Sequence, residues 1–157
     1  MNGNEEQIRR LVSETTHLPP VFEVLLTKKA FFTEDEEIID SVFLEREGFH
    51  TTDNFYEKEH NFHPATLIVA TTYGLTIVQE GGTEVFERMY GYRIIHILYE
   101  KIAHMQLNIC LLSGSFSIAC AGGPSGDTVI EFNTAKYYKQ FEQFIDVLRK
   151  QVFLRGR

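Results

Sequence analysis

The chain has 157 residues, 43% of them hydrophobic and 13% aromatic, which is enough for one domain with an extension and unlike a disordered protein. Its net charge of −7 argues against non-specific nucleic-acid binding, which needs lysines and arginines to neutralise phosphates. The start of the chain lacks a basic segment followed by an apolar one, and every apolar stretch falls well short of the ~18 residues of a membrane helix. We therefore expect a cytoplasmic protein without integral membrane association.

The charges are distributed unevenly along the chain. Residues 31–63 hold ten acidic side chains against Arg46 and Lys58, whereas residues 134–157 hold six basic side chains against Glu142 and Asp146. Two solvated faces would explain this pattern, with the basic end complementing a helix dipole. The alternative is a polar molecule whose acidic end associates with the basic end of another copy.

Residues 1–33 are predicted to form an N-terminal helical extension. Asn4 can cap a short helix, and Pro19-Pro20 ends it. The segment 21–32 is rich in Val, Leu and Phe and favours a second helix, although residues 24–26 would also suit a strand.

Seven short strands are predicted next, because β-branched and aromatic runs alternate with turn residues. They cover 38–45, 66–71, 75–79, 92–97, 103–112, 116–121 and 128–132. A long loop, 46–64, separates the first two strands. Residues 122–127 are rich in glycine but lead into a strand rather than a helix, so they indicate a hairpin turn and not a phosphate-binding loop.

The fifth and sixth strands are expected to form a hairpin that turns at Ser113-Gly114. In that register Leu107 lies opposite Cys120, and alternation places one apolar face towards the core. That face comprises Leu107, Ile109, Leu111, Phe116, Ile118 and Cys120. Cys110 falls on the other face, so the two cysteines are expected to be unbridged, as is usual in a reducing compartment.

A C-terminal amphipathic helix is predicted from Thr134 to Val152, capped by Asn133 or Thr134. Its apolar residues recur at helical spacing. They are Tyr137, Phe141, Phe144, Ile145, Leu148 and Val152. We expect Phe141, Phe144 and Leu148 to be buried against the apolar face of the hairpin. Residues 153–157 are predicted to form a basic tail.

Three short segments carry a family resemblance. The segments 36–39 (EEII), 72–75 (TYGL) and 97–102 (ILYEKI) resemble the bacterial pleckstrin-homology-like (PH/GRAM-type) domains of unknown function, with Leu98 where those domains usually have proline. The resemblance covers residues 34–152. It implies a mainly β (α+β) fold, namely a seven-stranded PH-like antiparallel barrel or sandwich capped by the C-terminal helix.

The resemblance also implies binding rather than catalysis. It suggests a non-catalytic module that binds protein partners and self-associates. Phosphoinositide binding is not expected, because the basic residues of the first loop, Arg46 and Lys58, lie among five acidic side chains that would repel a polyanionic headgroup.

Aromatic residues in the acidic loop form the candidate interaction surface: Phe49, Phe55, Tyr56 and Phe62. They either fold back onto the core or present an apolar centre with an acidic rim. A second hypothesis is a small-ligand or lipid-binding module, with an apolar cleft between the N-terminal segment and the sheet. It is motivated by Val21, Phe22, Val24, Leu25 and Leu26.

Other reactive residues favour structural interpretations. His60 and His63, near His50, Glu57 and Glu59, have the chemistry of zinc ligands, but the following Pro64 disfavours the helix that would bring the two histidines together. Cys110 with His104 or His96 offers a nucleophile and a base, yet nothing in a strand lowers a thiol pKa. We predict no catalytic, cofactor-binding or metal site.

Overall fold

The computed structural model describes residues 22–24, 32–46, 64–80, 92–121 and 127–155, with the backbone alone at Glu80. Residues 22–24 are helical, and the rest of the predicted N-terminal helical extension, apart from residues 32 and 33, lies outside the described residues. The remaining elements follow the predicted order. The strands are β1 (Ile38–Leu44), β2 (Thr66–Thr71), β3 (Gly74–Glu80), β4 (Tyr92–Leu98), β5 (Ile102–Ile109), β6 (Ser113–Cys120) and β7 (Thr128–Asn133), and the helix is α1 (Thr134–Arg155). A 3-10 turn, Tyr99–Lys101, joins β4 to β5.

The seven strands form two antiparallel sheets. One sheet has the order β1-β2-β3-β4 and the other the order β5-β6-β7. Helix α1 contacts β1 and the 3-10 turn as well as all three strands of the smaller sheet. The chain therefore has a PH-like sandwich capped by a C-terminal helix, which confirms the predicted fold class. The described strands make two sheets and not a closed barrel.

The main core lies where α1 meets the two sheets. Phe141, Phe144 and Leu148 are fully buried there, as the helical spacing predicts. The Phe141 ring stacks on Phe132 with centroids 4.1 Å apart and tilts against Phe116 at 5.8 Å. Helix α1 continues to Arg155, three residues beyond its predicted end.

The start of α1 is fixed by a side-chain cap. The Asn133 Oδ1 accepts a hydrogen bond from the Lys136 backbone N–H at 3.2 Å, so Asn133 is the capping residue of the two that the sequence allowed. Thr134 follows inside the helix, and its buried hydroxyl has no hydrogen-bond partner among the described residues.

The β5–β6 hairpin corrects one prediction. Its turn is at Leu111-Leu112, closed by a hydrogen bond from the Cys110 N–H to the Ser113 carbonyl, and not at Ser113-Gly114. Leu107 therefore pairs with Phe116 instead of Cys120, a shift of four residues. An even shift keeps each side chain on its predicted face.

The predicted core contacts of the hairpin are correct only in part. Phe116 and Ile118 are buried and Leu107 packs against the core, but Ile109 is 45% exposed and Leu111 94% exposed. Gly114 belongs to β6 because the Phe132 ring lies on its backbone. A Cβ at this position would stand 2.6 Å from the Phe132 Cζ.

A second apolar cluster covers the other face of the four-stranded sheet. Phe22 is fully buried and packs edge-to-face on Phe43, with ring centroids 5.4 Å apart. The other buried members of the cluster are Ile38, Ala65, Leu67, Val69 and Val78. Every residue of β2 is consequently buried, on both faces. Phe22 thus fills part of the space that the small-ligand hypothesis left for a cleft.

A buried polar network joins the turn before β1 to the β2–β3 hairpin and the 3-10 turn. The Thr71 hydroxyl donates to the Glu36 Oε1 at 2.5 Å, and the Glu36 Oε2 accepts from the Thr33 N–H at 3.1 Å. The Tyr99 hydroxyl donates to the Thr71 carbonyl at 2.5 Å. Burial raises the pKa of Tyr99 to about 12, although the positive charge of Arg155 opposes the shift.

We predict that Phe141→Ala lowers the free energy of unfolding by about 3–5 kcal/mol, because it removes a fully buried ring from contact with Phe132 and Phe116. Lys139→Ala, on the exposed side of α1, is the matched control and should change it by less than ~0.5 kcal/mol. Urea denaturation followed by circular dichroism measures both. Equal effects of the two substitutions would mean that α1 does not hold the core.

We predict that Asn133→Ala costs about 1 kcal/mol of unfolding free energy, because the Lys136 N–H loses its acceptor. Thr134→Val is the control one residue later. It replaces a buried, unpaired hydroxyl with a methyl group, so it should leave stability within ~0.5 kcal/mol or raise it. A larger loss for Thr134→Val than for Asn133→Ala would contradict this assignment of the cap.

We predict that stability falls between pH 10 and pH 12 partly through Tyr99. The folded pKa of about 12 lies above the ordinary value of 10.0, so the contribution of Tyr99 is complete below pH 10 and is lost as the pH rises towards 12. Tyr99→Phe should flatten the decline of unfolding free energy over this range. Parallel curves for the wild type and Tyr99→Phe would refute the prediction.

Candidate interaction site

Strand β5 is an edge strand in the described part of the molecule. It pairs with β6 on one side and with no described strand on the other. Its residues include no Lys, Arg, Asp, Glu or Pro, and His104 is its one titratable side chain. Edge strands usually carry charges or proline that prevent pairing with another chain. The outer edge of β5 therefore has the character of a pairing surface.

A groove of 520 Å³ runs between β5 and the last turns of α1. Met105 of β5 and Val152 and Phe153 of α1 supply its apolar lining. Met105 and Val152 are partly buried against the core, whereas Phe153 is 63% exposed. The helix thus adds an apolar wall to the open edge of a strand.

The rim of the groove carries both signs of charge. Asp146, Arg149 and Lys150 come from successive turns of α1. The Arg149 Nη1 and the Asp146 Oδ1 are 3.9 Å apart, and both side chains are 71% exposed. A pair this exposed adds little to stability. Both side chains therefore remain largely hydrated at the rim of the groove.

The turn of the β5–β6 hairpin projects apolar side chains into solvent. Leu111 and Leu112 are its two central residues and both are highly exposed, next to Ile109 at the end of β5. The stretch 106–121 contains no charged residue and no histidine. The apolar tip therefore continues the uncharged edge of β5.

A second cleft, of 440 Å³, lies at the C-terminal end of α1. It is lined by Tyr73 from the β2–β3 turn, Leu98 and Glu100 from the β4–β5 connection, and Arg155. Tyr99 also lines it, but its hydroxyl is engaged by Thr71. Leu98, which replaces the proline usual in the resembled domains, is half exposed here. The cleft has one cation and one carboxylate and no further buried polar group that would define a ligand.

The oppositely charged segments of the chain are in contact where the end of β1 meets the start of α1. The Lys136 Nζ lies 2.9 Å from the Glu45 Oε2, and this hydrogen bond raises the pKa of Lys136. The Tyr137 hydroxyl accepts a hydrogen bond from the Glu45 N–H at 3.1 Å. Part of the charge separation read from the sequence thus fixes the start of α1 onto the end of β1.

The aromatic residues predicted to form the interaction surface, Phe49, Phe55, Tyr56 and Phe62, lie outside the described residues. The histidines and acids weighed as zinc ligands in the same loop lie outside them too. Within the described ranges, no group of three or more His, Cys, Asp or Glu side chains is arranged to hold a metal ion.

The remaining reactive residues are separated by the fold. His96 Nδ1 lies 3.0 Å from the Thr76 Oγ1, on the larger sheet. His104 and Cys110 are six positions apart along an extended segment, roughly 20 Å at ~3.3 Å per residue, so they do not form a nucleophile–base pair. Cys110 and Cys120 are both free and exposed.

Reasoning from the sequence missed the groove. Met105 and Phe153 are 48 positions apart in the chain, and only the packing of α1 across β5 brings them together. A signal was present in the uncharged run 106–121, which is unusual in a chain with 24% charged residues. We find no helix among the described residues with the length and apolarity needed to cross a membrane.

Comparisons with known proteins add one structural likeness. The fold is similar to a crystal structure of a DUF1696 family protein with a pleckstrin-homology domain from Shewanella loihica PV-4, with a TM-score of 0.49 and 10% sequence identity. The match covers 83% of this chain and 98% of that one. No protein-family model matches the sequence, and a search of curated proteins gives no match either.

Proposed function

We propose that this protein is a non-catalytic PH-like interaction module that binds an extended segment of a protein between β5 and α1. The observation that carries the proposal is the uncharged, one-sided edge of β5 beside the apolar groove lined by Met105, Val152 and Phe153. Strand addition to an open edge is a general mode of peptide recognition.

The backbone of β5 supplies the first part of the recognition. An edge strand directs every second N–H and C=O away from its sheet, and an added strand satisfies these groups. The irregularity in β5 pairing lies between Ile102 and His104, so the remainder of the strand, to Ile109, is regular. This length accommodates about five residues of a partner.

The groove supplies the second part of the recognition, through contacts with the side chains of the partner. Side chains of an added strand alternate between its two faces, so every second residue would point towards Met105 and Phe153. Those positions should be apolar. Because the rim has one acid and two bases, we expect acidic residues beside the apolar ones to be favoured at Arg149 and Lys150.

The other features of the molecule agree with this role. The net charge of −7 disfavours nucleic acid, and the exposed thiols of Cys110 and Cys120 suit a reducing cytoplasm. Binding by backbone pairing and apolar burial calls for no cofactor. Phe22 occupies part of the alternative cleft for a small ligand or lipid, which favours the groove as the binding surface.

The test is selection of a random peptide library displayed on phage against the purified full chain, followed by affinity measurement with the synthetic peptides. We expect enriched peptides with alternating apolar residues, and at least ~10-fold weaker binding to Phe153→Ala, a loss of about 1.4 kcal/mol. Leu154→Ala is the matched control, since Leu154 is the adjacent exposed residue and does not line the groove. No enrichment, or equal losses for both variants, would overturn the proposal.

A further inference from the structure

The face pattern of β5 makes the strand complementary to itself. Met105, Leu107 and Ile109 alternate on the face that packs towards the core, and Gln106 and Asn108 alternate on the outward face. An antiparallel pair of identical strands keeps the apolar residues on one face only when the paired residue numbers have an even sum. A register in which Leu107 lies opposite Leu107 of the second copy meets this condition, because the two numbers are equal and their sum is even.

From this pattern we propose that the partner of the groove is a second copy of this chain, paired antiparallel through β5 about a two-fold axis at Leu107. The inference rests on the proposed function, because it names the occupant of the same site. The two three-stranded sheets would join into one sheet of six strands. Such an isologous contact closes the assembly at two copies.

The pairing covers apolar surface that the single chain leaves in solvent. In this register Ile109 lies opposite Met105 of the second copy, at the groove. Ile109 is 45% exposed in one chain, and Leu111, in the turn just beyond the paired strand, is 94% exposed. Burial of Ile109 on both copies provides the hydrophobic contribution to the free energy of association.

The polar residues of β5 also fit a copy of themselves. The register places Gln106 opposite Asn108 of the second copy. The two-fold axis repeats this pair, with Asn108 opposite Gln106 of the second copy. Within one chain the Gln106 Nε2 donates to the Asn108 Oδ1 at 2.9 Å, and the Asn108 Nδ2 donates to the Ser115 Oγ at 3.1 Å. Each amide retains hydrogen-bonding capacity for the opposing strand, since it has two donors and an oxygen with two lone pairs.

Charge does not oppose the pairing. Strand β5 contains no Lys, Arg, Asp or Glu, so the paired strands of two copies with net charge −7 carry no like charges of these types, and the charged residues near the contact are those on the rim of the groove. A two-fold axis perpendicular to the joined sheet keeps both α1 helices on one side of it. Each rim carries one acidic and two basic side chains, Asp146, Arg149 and Lys150, so the charges near the contact are of both signs.

The first experiment is sedimentation equilibrium of the full chain over a wide concentration range. We expect a species of twice the 18.2 kDa chain mass. Gln106→Lys should raise the dimer dissociation constant at least ~10-fold, because it places two cations at the paired edges. Val129→Lys is the matched control. Gln106 and Val129 both pair with Ser117 of β6, and Val129 is exposed on β7, the opposite edge strand of the same sheet. This substitution should leave the constant unchanged.

The second experiment tests the register by cross-linking. In a Cys120→Ser background, His104→Cys places a thiol opposite Cys110 of the second copy, within reach of a disulfide. We expect a covalent dimer on non-reducing gels that disappears when Cys110→Ser is added. Gln106→Cys in the same background is the register control and should cross-link much less.

The outcomes separate this inference from the proposed function. A chain that is monomeric at every concentration, yet binds selected peptides through Phe153, would overturn the dimer and leave the module intact. A dimer that is equally sensitive to Gln106→Lys and Val129→Lys would also overturn the inference. So would a chain that binds anionic lipid vesicles through Leu111 and Leu112 and does not bind a second copy. Dissociation of the dimer by the selected peptides would support both.

Discussion

The packing of one helix face onto two sheets is the interaction on which the rest of the structure depends. The sheets are separate hydrogen-bonded units among the described residues, so side-chain packing and short connections must hold them together. Phe141 lies against Phe132 and Phe116 of the smaller sheet, and Phe144 and Leu148 are buried in the same cluster as Val42 and Ile77 of the larger one. Loss of this packing would separate the sheets as well as the helix.

The same packing determines what the surface can bind. Contacts at the start of α1 include the Asn133 cap, the Glu45–Lys136 pair and the hydrogen bond from the Glu45 N–H to the Tyr137 hydroxyl. The direction of the helix from there brings Val152 and Phe153 alongside β5. The groove is therefore a consequence of how the core is closed. Part of its apolar lining comes from the end of the helix, beyond the fully buried residues, where Phe153 is 63% exposed.

The sequence was sufficient for the order of the seven strands and α1 and for the alternation of their faces. It was not sufficient for the β5–β6 register or for which residues of that hairpin are buried. Alternation assigned the seven strands and the stripe of α1, because burial of one face imposes a period of two or of about 3.6 residues. The β5–β6 turn failed because Ser113-Gly114 has turn composition, whereas Gly114 is needed in the strand beneath the Phe132 ring. Alternation distinguishes only registers that differ by an odd number of residues, because an even shift leaves every side chain on the same face. The alternation of apolar and polar residues therefore could not reveal a shift of four residues.

The groove could not be predicted at all, because its walls are distant in the chain and meet only through tertiary packing. The sequence does show that residues 106–121 carry no charge. This observation indicates a pairing surface only when β5 is known to be an edge strand. The larger sheet illustrates the contrast. Phe22 covers its outer face and α1 its inner face, so β2 is buried on both sides and has no surface to offer. Open backbone lies on the outer strands of both sheets, but among these described edge strands β1 contains Asp40, β4 contains Arg93 and β7 contains Glu131. Strand β5 alone among them has no charged residue, which is why we propose that an extended chain adds at this edge.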